Sequence, residues 1–466
     1  MLESCGEADL SLEPVGSEAG CEFRMENLER DRPVVLEIVR EEHRGHPAAP
    51  KLTPERVVAC QAAFEENSKV WHRSQPRCEE LTLQATARRL PEVVQVPTGS
   101  YYVFDAMSQI RYLIIADGDF GPMSSKTANA IIRFQPERVV AVMDRRFAGQ
   151  TVESALGFGG AIPIVDSVRH GLAMGANTVL VGIAPVGGRL PDEWRSWLAE
   201  ALDAGCDLVS GLHTFLSDDP LLAGKAKAAG RQIFDLRRPP ADLPVASGLV
   251  KKVEAYVVLT VGTDCNVGKM TAQLELTREL NARGVRTRFV ATGQTGIMLE
   301  GWGIAVDAVI ADFIAGAAER ITLKGAREAD VVPVEGQGSI NHPGYSGVTL
   351  GLLHGACPDG LILCHQTTRE HIGDLDEADW LRMPPLSEYI KIYEAVGSLV
   401  HPTRVLGICL NTYDLPEAAA LRACEAAAQE TGLPVTDPVR FDPAPLVNAV
   451  LQGRVAKQGR QAATRP

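Results

Sequence analysis

Apolar residues along this chain fall into short blocks separated by stretches with helical spacing, and the pattern becomes regular from Tyr112 onward. "YLIIADGD" (112–119) is a continuous apolar run closed by glycine and acids, which predicts a strand buried on both faces. "SSKTANAIIRF" follows with helical spacing, and "RVVAVMD" is a second strand. "TVLVGIAP" and "CDLVSGL" are two more, and "LPDEWRSWLAEALDAG" between them has the period of an amphipathic helix. Strands alternating with helices predict a parallel, doubly wound sheet.

A proline-rich stretch, "FDLRRPPADLPVASG" (234–248), interrupts the rhythm and reads as a linker. A second alternation then starts at "AYVVLTVG" and continues through "TRFVATG", "DVVPVEG", "GLILCH" and "RVLGICLN". The predicted fold class is therefore α/β, with two tandem doubly wound domains: a Rossmann-like domain over 106–248 and a P-loop NTPase-like domain over 249–456. Residues 1–105 read as an N-terminal extension, partly disordered or helical. Within it, "LTPERVVACQAAFEENSKVW" (52–71) has helical spacing and a Thr-Pro-Glu start. The end, "KQGRQAATRP" (457–466), is expected to be a disordered tail.

Composition narrows the function classes. The 466 residues are 45% hydrophobic and 23% charged, ordinary values for a globular protein. A net charge of −13 argues against general affinity for nucleic acid or anionic membrane. No apolar run reaches the roughly 18 residues that span a bilayer. The polar, acidic start "MLESCGEADLSLEPVGSEAG" lacks the apolar core of a signal peptide. The ten cysteines show no CxxC pair and no metal-type spacing, which fits free thiols in a reducing compartment. A cytoplasmic protein with a small-molecule substrate, assembling as a homo-oligomer, is expected.

In the first α/β domain the opening turn is "DGDFGPMSSKTA". A dinucleotide fingerprint needs G-x-G-x-x-G there and an acid after the second strand. Asp144 stands at the acid position, but only Gly118 and Gly121 are present and Pro122 interrupts. Ser124, Ser125, Lys126 and Thr127 could instead hold an anion at a helix start. "GIAPVGGRLP" and "SGLHTFL" follow strand ends, where open α/β sheets bind ligands, so Gly187, Gly188 and His213 are candidate substrate residues.

In the second domain "TVGTDCNVGKMT" (260–271) lies between a strand and the helical "MTAQLELTRELNARG". A glycine-rich turn in that context points backbone N–H groups into one concavity, with Lys269 and a helix N-terminus adding positive charge. The cofactor-binding set is Gly262, Thr263, Asp264, Asn266, Val267, Gly268, Lys269, Met270 and Thr271. Asn411, at the end of a late strand, is placed to read a purine edge. Glu335 ends the strand "VVPVEGQGS", where a carboxylate can hold Mg²⁺, and Asp312 could supply a second oxygen. Met270 stands where such loops put a hydroxyl, and a thioether is a poor ligand for Mg²⁺. Thr271 points about 100° further round the helix. Either Thr271 reaches the metal, or Glu335 and Asp312 carry it, or phosphates bind without a catalytic metal.

Two resemblances follow from these motifs. The second domain resembles dethiobiotin synthase, through Gly262-Thr263-Asp264, Val267-Gly268-Lys269, the strand end Val334 to Ser339, and Asn411. Over a longer stretch, Tyr112 to Leu451, the chain resembles the family that includes the D-glutamate N-acetyltransferases, long catalogued as a domain of unknown function. "VGTDCNVGKMT", "ATGQTGIMLEG", "DAVIADFIAGAAE", "VEGQGSINHPGYSGVTLGLLHGACPD" and "GLHTFL" carry that likeness. A residue other than Ser or Thr after the lysine is a pattern of that family too. The family resemblance implies a Rossmann-like half followed by a P-loop half, with acetyl transfer from acetyl-coenzyme A to an amino group.

Three functional readings remain at this point. In the first, the protein is an N-acyltransferase acting on a small, D-glutamate-like amino acid, with the loop cradling acetyl-coenzyme A or a nucleotide. A base must then take the ammonium proton. His342 is the candidate, with His354 and His365 behind it. Gln294 and Thr295 would line the substrate pocket, and N–H groups around Gly336 to Ser339 would face an oxyanion. In the second, Mg-ATP activates a carboxyl group, with Lys269 on the transferring phosphoryl group and Mg²⁺ on Glu335 and Asp312. The third is a nucleotide-binding regulator without turnover.

Overall fold

The computed structural model describes residues 23–24, 37–38, 110–122, 124–183, 190–373 and 380–464. The predicted helix at 52–71 and the candidates Gly187 and Gly188 lie outside the described residues. In the N-terminal part, β1 (Phe23–Arg24) pairs antiparallel with β2 (Glu37–Ile38).

The Rossmann-like domain runs β3 (Tyr112–Ile115), α1 (Lys126–Phe134), β4 (Val139–Met143), α2 (Val152–Leu156), β5 (Ile164–Val165), α3 (Val168–Ala173), β6 (Thr178–Val181), α4 (Asp192–Asp203), β7 (Asp207–Ser210), α5 (Pro220–Ala229) and β8 (Ile233–Asp235). All neighbours pair parallel, in the order β5-β4-β3-β6-β7-β8. The strand order reverses between β3 and β6, which makes that crevice the topological switch point. The continuous apolar runs read in the sequence are the central strands: β3 and β6 are buried at every position. The edge strands β5 and β8 are two and three residues long, too short to leave a periodic signal.

The P-loop domain contains β9 (Tyr256–Gly262), α6 (Lys269–Ala282), α7 (Gln294–Glu300), α8 (Ala311–Glu328), β10 (Val331–Val334), α9 (Ser346–Ala356), β11 (Gly360–Gln366), α10 (Leu386–Gly397), β12 (Val405–Asn411), α11 (Glu417–Thr431), β13 (Val435–Thr436) and α12 (Ala444–Thr464). Its five-stranded parallel sheet has the order β10-β9-β11-β12-β13. The predicted strand "TRFVATG" makes only isolated parallel bridges to the β10 edge, at Thr287 and Val290. Alternation along β9 divides the core. Val257, Leu259 and Val261 pack with α8, α9 and α10, whereas Tyr256 and Val258 pack with α6 and α12.

The expected disordered tail is corrected by α12, which continues to Thr464. Lys457 is the reason: its buried ammonium bonds Ala255 O and the Asp359 carboxylate, both at 2.8 Å, and so ties the helix to the sheet. The proline-rich linker is fastened rather than loose. Ser247 N donates to Glu319 on α8 at 2.6 Å, and Arg320 pairs with Asp242 at 3.0 Å. Among the described residues no helix is long and apolar enough to cross a membrane.

One apolar core runs through both domains. It holds the Rossmann-like interior together with Met270 and Leu274 of α6, Phe289, Ala291, and Ile297 and Met298 of α7. At its edge α1 lies against α7: Thr127 Oγ1 is 3.0 Å from Thr295 Oγ1, and Gln135 Nε2 donates to Leu299 O at 2.9 Å.

Candidate functional site

The turn after β9 is held from outside by its carbonyls. Tyr393 OH and Ser339 Oγ donate to Gly262 O at 2.7 and 2.9 Å, and Tyr389 OH donates to Thr263 O at 3.0 Å. Val267 is anchored in the core, fully buried. Asn266 and Gly268 take positive φ, at 55° and 103°, so that successive N–H groups turn to the same side. Among the described residues the N–H groups of Gly268, Lys269, Met270 and Thr271 have no acceptor. A row of free donors at the start of a 14-residue helix is an anion cradle.

Asp264 is structural. Its fully buried carboxylate accepts from Cys265 N at 2.6 Å and from Arg369 Nη1 and Gly373 N at 2.7 Å each. Lys269 is almost fully buried and its Nζ donates to Asp264 O at 2.7 Å, folded back on its own loop. Burial pushes its pKa down to about 8. Its stem lies on Gly336, where a Cβ would stand 1.8 Å from Thr260 O, so only glycine lets β10 end this close to the loop.

Glu335 sits at that strand end, buried, with Oε2 accepting from Thr292 N and Gly293 N at 3.0 Å each. The "ATGQTG" segment thus cradles a carboxylate through its backbone. Gly296 is needed there too, because a Cβ would stand 2.5 Å from Glu335 Oε2. Burial holds the Glu335 carboxyl above its ordinary pKa, opposed first by the charge of Lys126. Lys126 belongs to the other domain and is exposed at the first position of α1. The charge of Lys126 also lowers the pKa of Lys269, after the larger effect of burial, so it is felt by both groups across the domain boundary.

The other predicted residues fall as follows. Asn411 borders the loop, its Nδ2 4.0 Å from the Cβ position of Gly268. Thr271 is half-buried beside it in sequence, while Met270 is buried in the shared apolar core and serves packing. Asp312 is exposed in the first turn of α8, and no described contact brings it to Glu335. Gln294 lies against Gly211 at the end of β7, its Cγ 2.6 Å from the Cβ position there. Thr295 is buried, with its hydroxyl on Thr127. His213 is exposed two residues beyond Gly211, its pKa lowered by burial and then by Arg237. His354 Nε2 donates to Val396 O in α10 at 3.1 Å. His365 Nδ1 is 2.9 Å from Thr263 Oγ1, and burial lowers its pKa to about 4, so it stays neutral.

His342 does not suit the role of base given to it above. Its Nδ1 accepts from Gly344 N at 3.0 Å, so the neutral ring carries its proton on Nε2. That nitrogen is buried, without a partner, and is a donor. Among the described residues His342 forms one potential metal group with Asp264 and Cys265, ligand atoms within 4.8 Å of one another. The Asp264 oxygens are already occupied and the free ring nitrogen is protonated, so these residues fit a metal poorly.

Sequence reasoning missed Arg369, in the turn after β11, and Tyr389 and Tyr393, which lie four residues apart on α10. It also missed Cys265 as a loop residue beside His342, and Arg237, which donates to Gly211 O at 2.6 Å and pairs with Asp307.

Comparison with known proteins agrees with this layout. Residues 145–239 match a domain of unknown function described as the DUF1611_N Rossmann-like domain, and residues 244–447 match the DUF1611_C P-loop domain. A protein of Tritonibacter scottomollicae named D-glutamate N-acetyltransferase is 38% identical over 347 residues, covering 74% of this chain and 99% of the relative. A protein of the same name from Pseudoalteromonas sp. is 34% identical over 330 residues, covering 71% and 95%. The crystal structure of a DUF1611 family protein from Anabaena variabilis superposes with a TM-score of 0.70 at 42% identity, covering 74% of this chain and 99% of that one. With two domains of the same kind in the same order, and near-complete coverage of relatives that are enzymes, the chain belongs to the DUF1611 family.

Proposed function

We propose that the protein transfers an acetyl group from acetyl-coenzyme A to the amino group of a small acidic amino acid of the D-glutamate type. The observation that carries this is the pair of relatives bearing that activity's name, matched along almost their whole length. The site supports it. The loop Gly262–Thr271 offers free N–H groups and Lys269 to the donor's phosphates. Glu335 closes the adjacent strand, about 4.8 Å away in the sheet. Burial raises its pKa above that of an exposed carboxyl, which makes the carboxylate a stronger base; it takes the ammonium proton so that the free amine attacks the thioester carbonyl and coenzyme A leaves as the thiol. Gly336 N is committed to Thr260 Oγ1 at 3.0 Å, which leaves the N–H groups of Gln337 and Gly338 as donors to the oxyanion.

One mass-spectrometric assay tests the reading. Purified protein is mixed with acetyl-coenzyme A, Mg-ATP and a pool of D- and L-amino acids. Free coenzyme A and an acetylated acidic D-amino acid, without ADP, are expected. ADP formed in step with a new adduct would instead establish Mg-ATP-dependent carboxyl activation. The geometry that favours this second reading is Asn411 beside Gly268, as in a nucleotide site. In that case Thr271 and Glu335 would be the candidate ligands of a magnesium ion.

A further inference from the structure

Next to β9, the strand that carries the phosphate loop, stand β11 and then β12. Gln366 and Asn411 are the last residues of these two strands and pair with each other across the parallel ladder. Side chains alternate along a strand, so Gln366 shares the face of Cys364, and Asn411 that of Cys409. Both cysteines pack in the core formed with α6 and with Val267 of the loop. Asn411 reaches the loop itself, its Nδ2 4.0 Å from the Cβ position of Gly268.

Two polar atoms at this place find no partner among the described residues. Asn411 Oδ1 accepts from Tyr413 N at 3.3 Å, which makes Nδ2 a donor, and nothing accepts from it. Gln366 is 7% exposed, its Nε2 donates to Asp414 Oδ2 at 3.4 Å, and its Oε1 is a buried acceptor with no donor. Such an orphan is costly and rare in a folded chain. The turn beyond is fixed. Thr412 donates to Asp437 Oδ2 through N at 3.0 Å and Oγ1 at 2.7 Å, and Thr368 Oγ1 donates to Asp414. Tyr413 is exposed in that turn and offers apolar surface to a flat ring.

One acceptor and one donor on paired residues complement the outer edge of adenine, which carries the N6 amino group beside the N7 acceptor. Guanine presents O6 and N7 there, two acceptors, and O6 would face Gln366 Oε1. We propose that Gln366 and Asn411 form the base subsite of the phosphate loop and select adenine, with Gln366 Oε1 accepting from N6 and Asn411 Nδ2 donating to N7. Acetyl-coenzyme A and ATP both carry this base. The inference deepens the donor-site reading and rests on the loop as a phosphate cradle, whichever group is transferred.

The test is calorimetric titration of the full-length chain, wild type and Gln366→Met, with ATP, ITP, 7-deaza-ATP, coenzyme A and tripolyphosphate. ITP replaces the N6 amino group by oxygen, and 7-deaza-ATP removes N7. Wild type should bind ATP about 10- to 100-fold tighter than ITP, and about tenfold tighter than 7-deaza-ATP. Gln366→Met should narrow the ATP-to-ITP ratio to about threefold or less and lose affinity for ATP and coenzyme A by one common factor. Its affinity for tripolyphosphate, which has no base, should match that of wild type. Equal binding of ATP and ITP by wild type overturns the proposal, and needs no variant to be seen. So does an unchanged ratio in Gln366→Met, or a matching loss for tripolyphosphate, which would make Gln366 a support of the loop. If neither ATP nor coenzyme A binds wild type, the subsite and the loop reading fall together. Adenine selectivity without acetyl transfer upholds the subsite and removes the acetyltransferase reading alone.

Discussion

Met270→Thr would install the hydroxyl that common phosphate loops carry after their lysine, and the structure predicts that the protein is worse for it. Met270 is 6% exposed and belongs to the apolar core shared by the two domains. Truncating a buried methionine costs about 2–5 kcal/mol, part from lost transfer energy and part from the cavity left behind. Threonine keeps some of the volume, and its hydroxyl can bond a carbonyl in the preceding turn, which places the cost near the low end, about 2–3 kcal/mol. Met270→Leu, which keeps the volume, should cost less than about 1.5 kcal/mol. Equilibrium urea unfolding of the three proteins measures the difference, and calorimetric titration with Mg-ATP measures any gain in binding. A threonine variant as stable as wild type would refute the packing role. So would tenfold tighter, Mg²⁺-dependent nucleotide binding, which would show the position to be a metal ligand site lacking its ligand.

The remaining predictions concern the loop and its carboxylates. Lys269 has a folded pKa of about 8 against 10.5 in water. Between those values the unfolded chain keeps a proton that the folded chain has shed, so ligand-free stability should rise with pH across that window. Affinity for a phosphate ligand should instead weaken above pH 8 as the ammonium is lost, and Lys269→Met should bind weakly at every pH; calorimetry across pH 6–10 checks both. Glu335 behaves oppositely: its raised pKa contributes stability that is full below 4.5 and lost as pH rises through the folded value. Glu335→Gln should therefore flatten the fall in urea midpoint with pH and be more stable at neutral pH, while abolishing turnover. Arg369→Ala strands the buried Asp264 carboxylate and should cost about 3–5 kcal/mol, with loss of ATP and coenzyme A binding; retained binding at unchanged stability would remove Asp264 as a loop anchor. Cys265 is half-buried inside the loop, so its alkylation by iodoacetamide, followed by peptide mass spectrometry, should slow when ATP or coenzyme A is present. Equal rates would place the phosphates elsewhere.

Most of the architecture was written locally. Central strands such as β3 and β9 are unbroken apolar runs, and their helices carry a clear period. The phosphate loop was legible for the same reason, since its strand, glycines, lysine and helix are contiguous. What could not be read is what depends on strand order. Lys126 and Glu335 are far apart in the chain, and only the packing of α1 on α7 brings them into one field. His342 carried a sensible chemical type at a sensible place, but one backbone N–H, from Gly344, reverses its polarity from acceptor to donor. The tail was misread because a polar, lysine-containing segment looks the same whether or not its lysine finds a buried aspartate, as Lys457 does in Asp359.

The apolar core that runs from the Rossmann-like interior through α6 and α7 bears on heredity as well as packing. Two domains joined by a linker can be shuffled, lost or borrowed separately. These two cannot, because either half alone would present Ile297, Met298 and Met270, or the surface they cover, to water. The halves should therefore unfold together. Any lineage that drops the first domain must rebuild the face of the second, so the loop's methionine records a partnership rather than a defect.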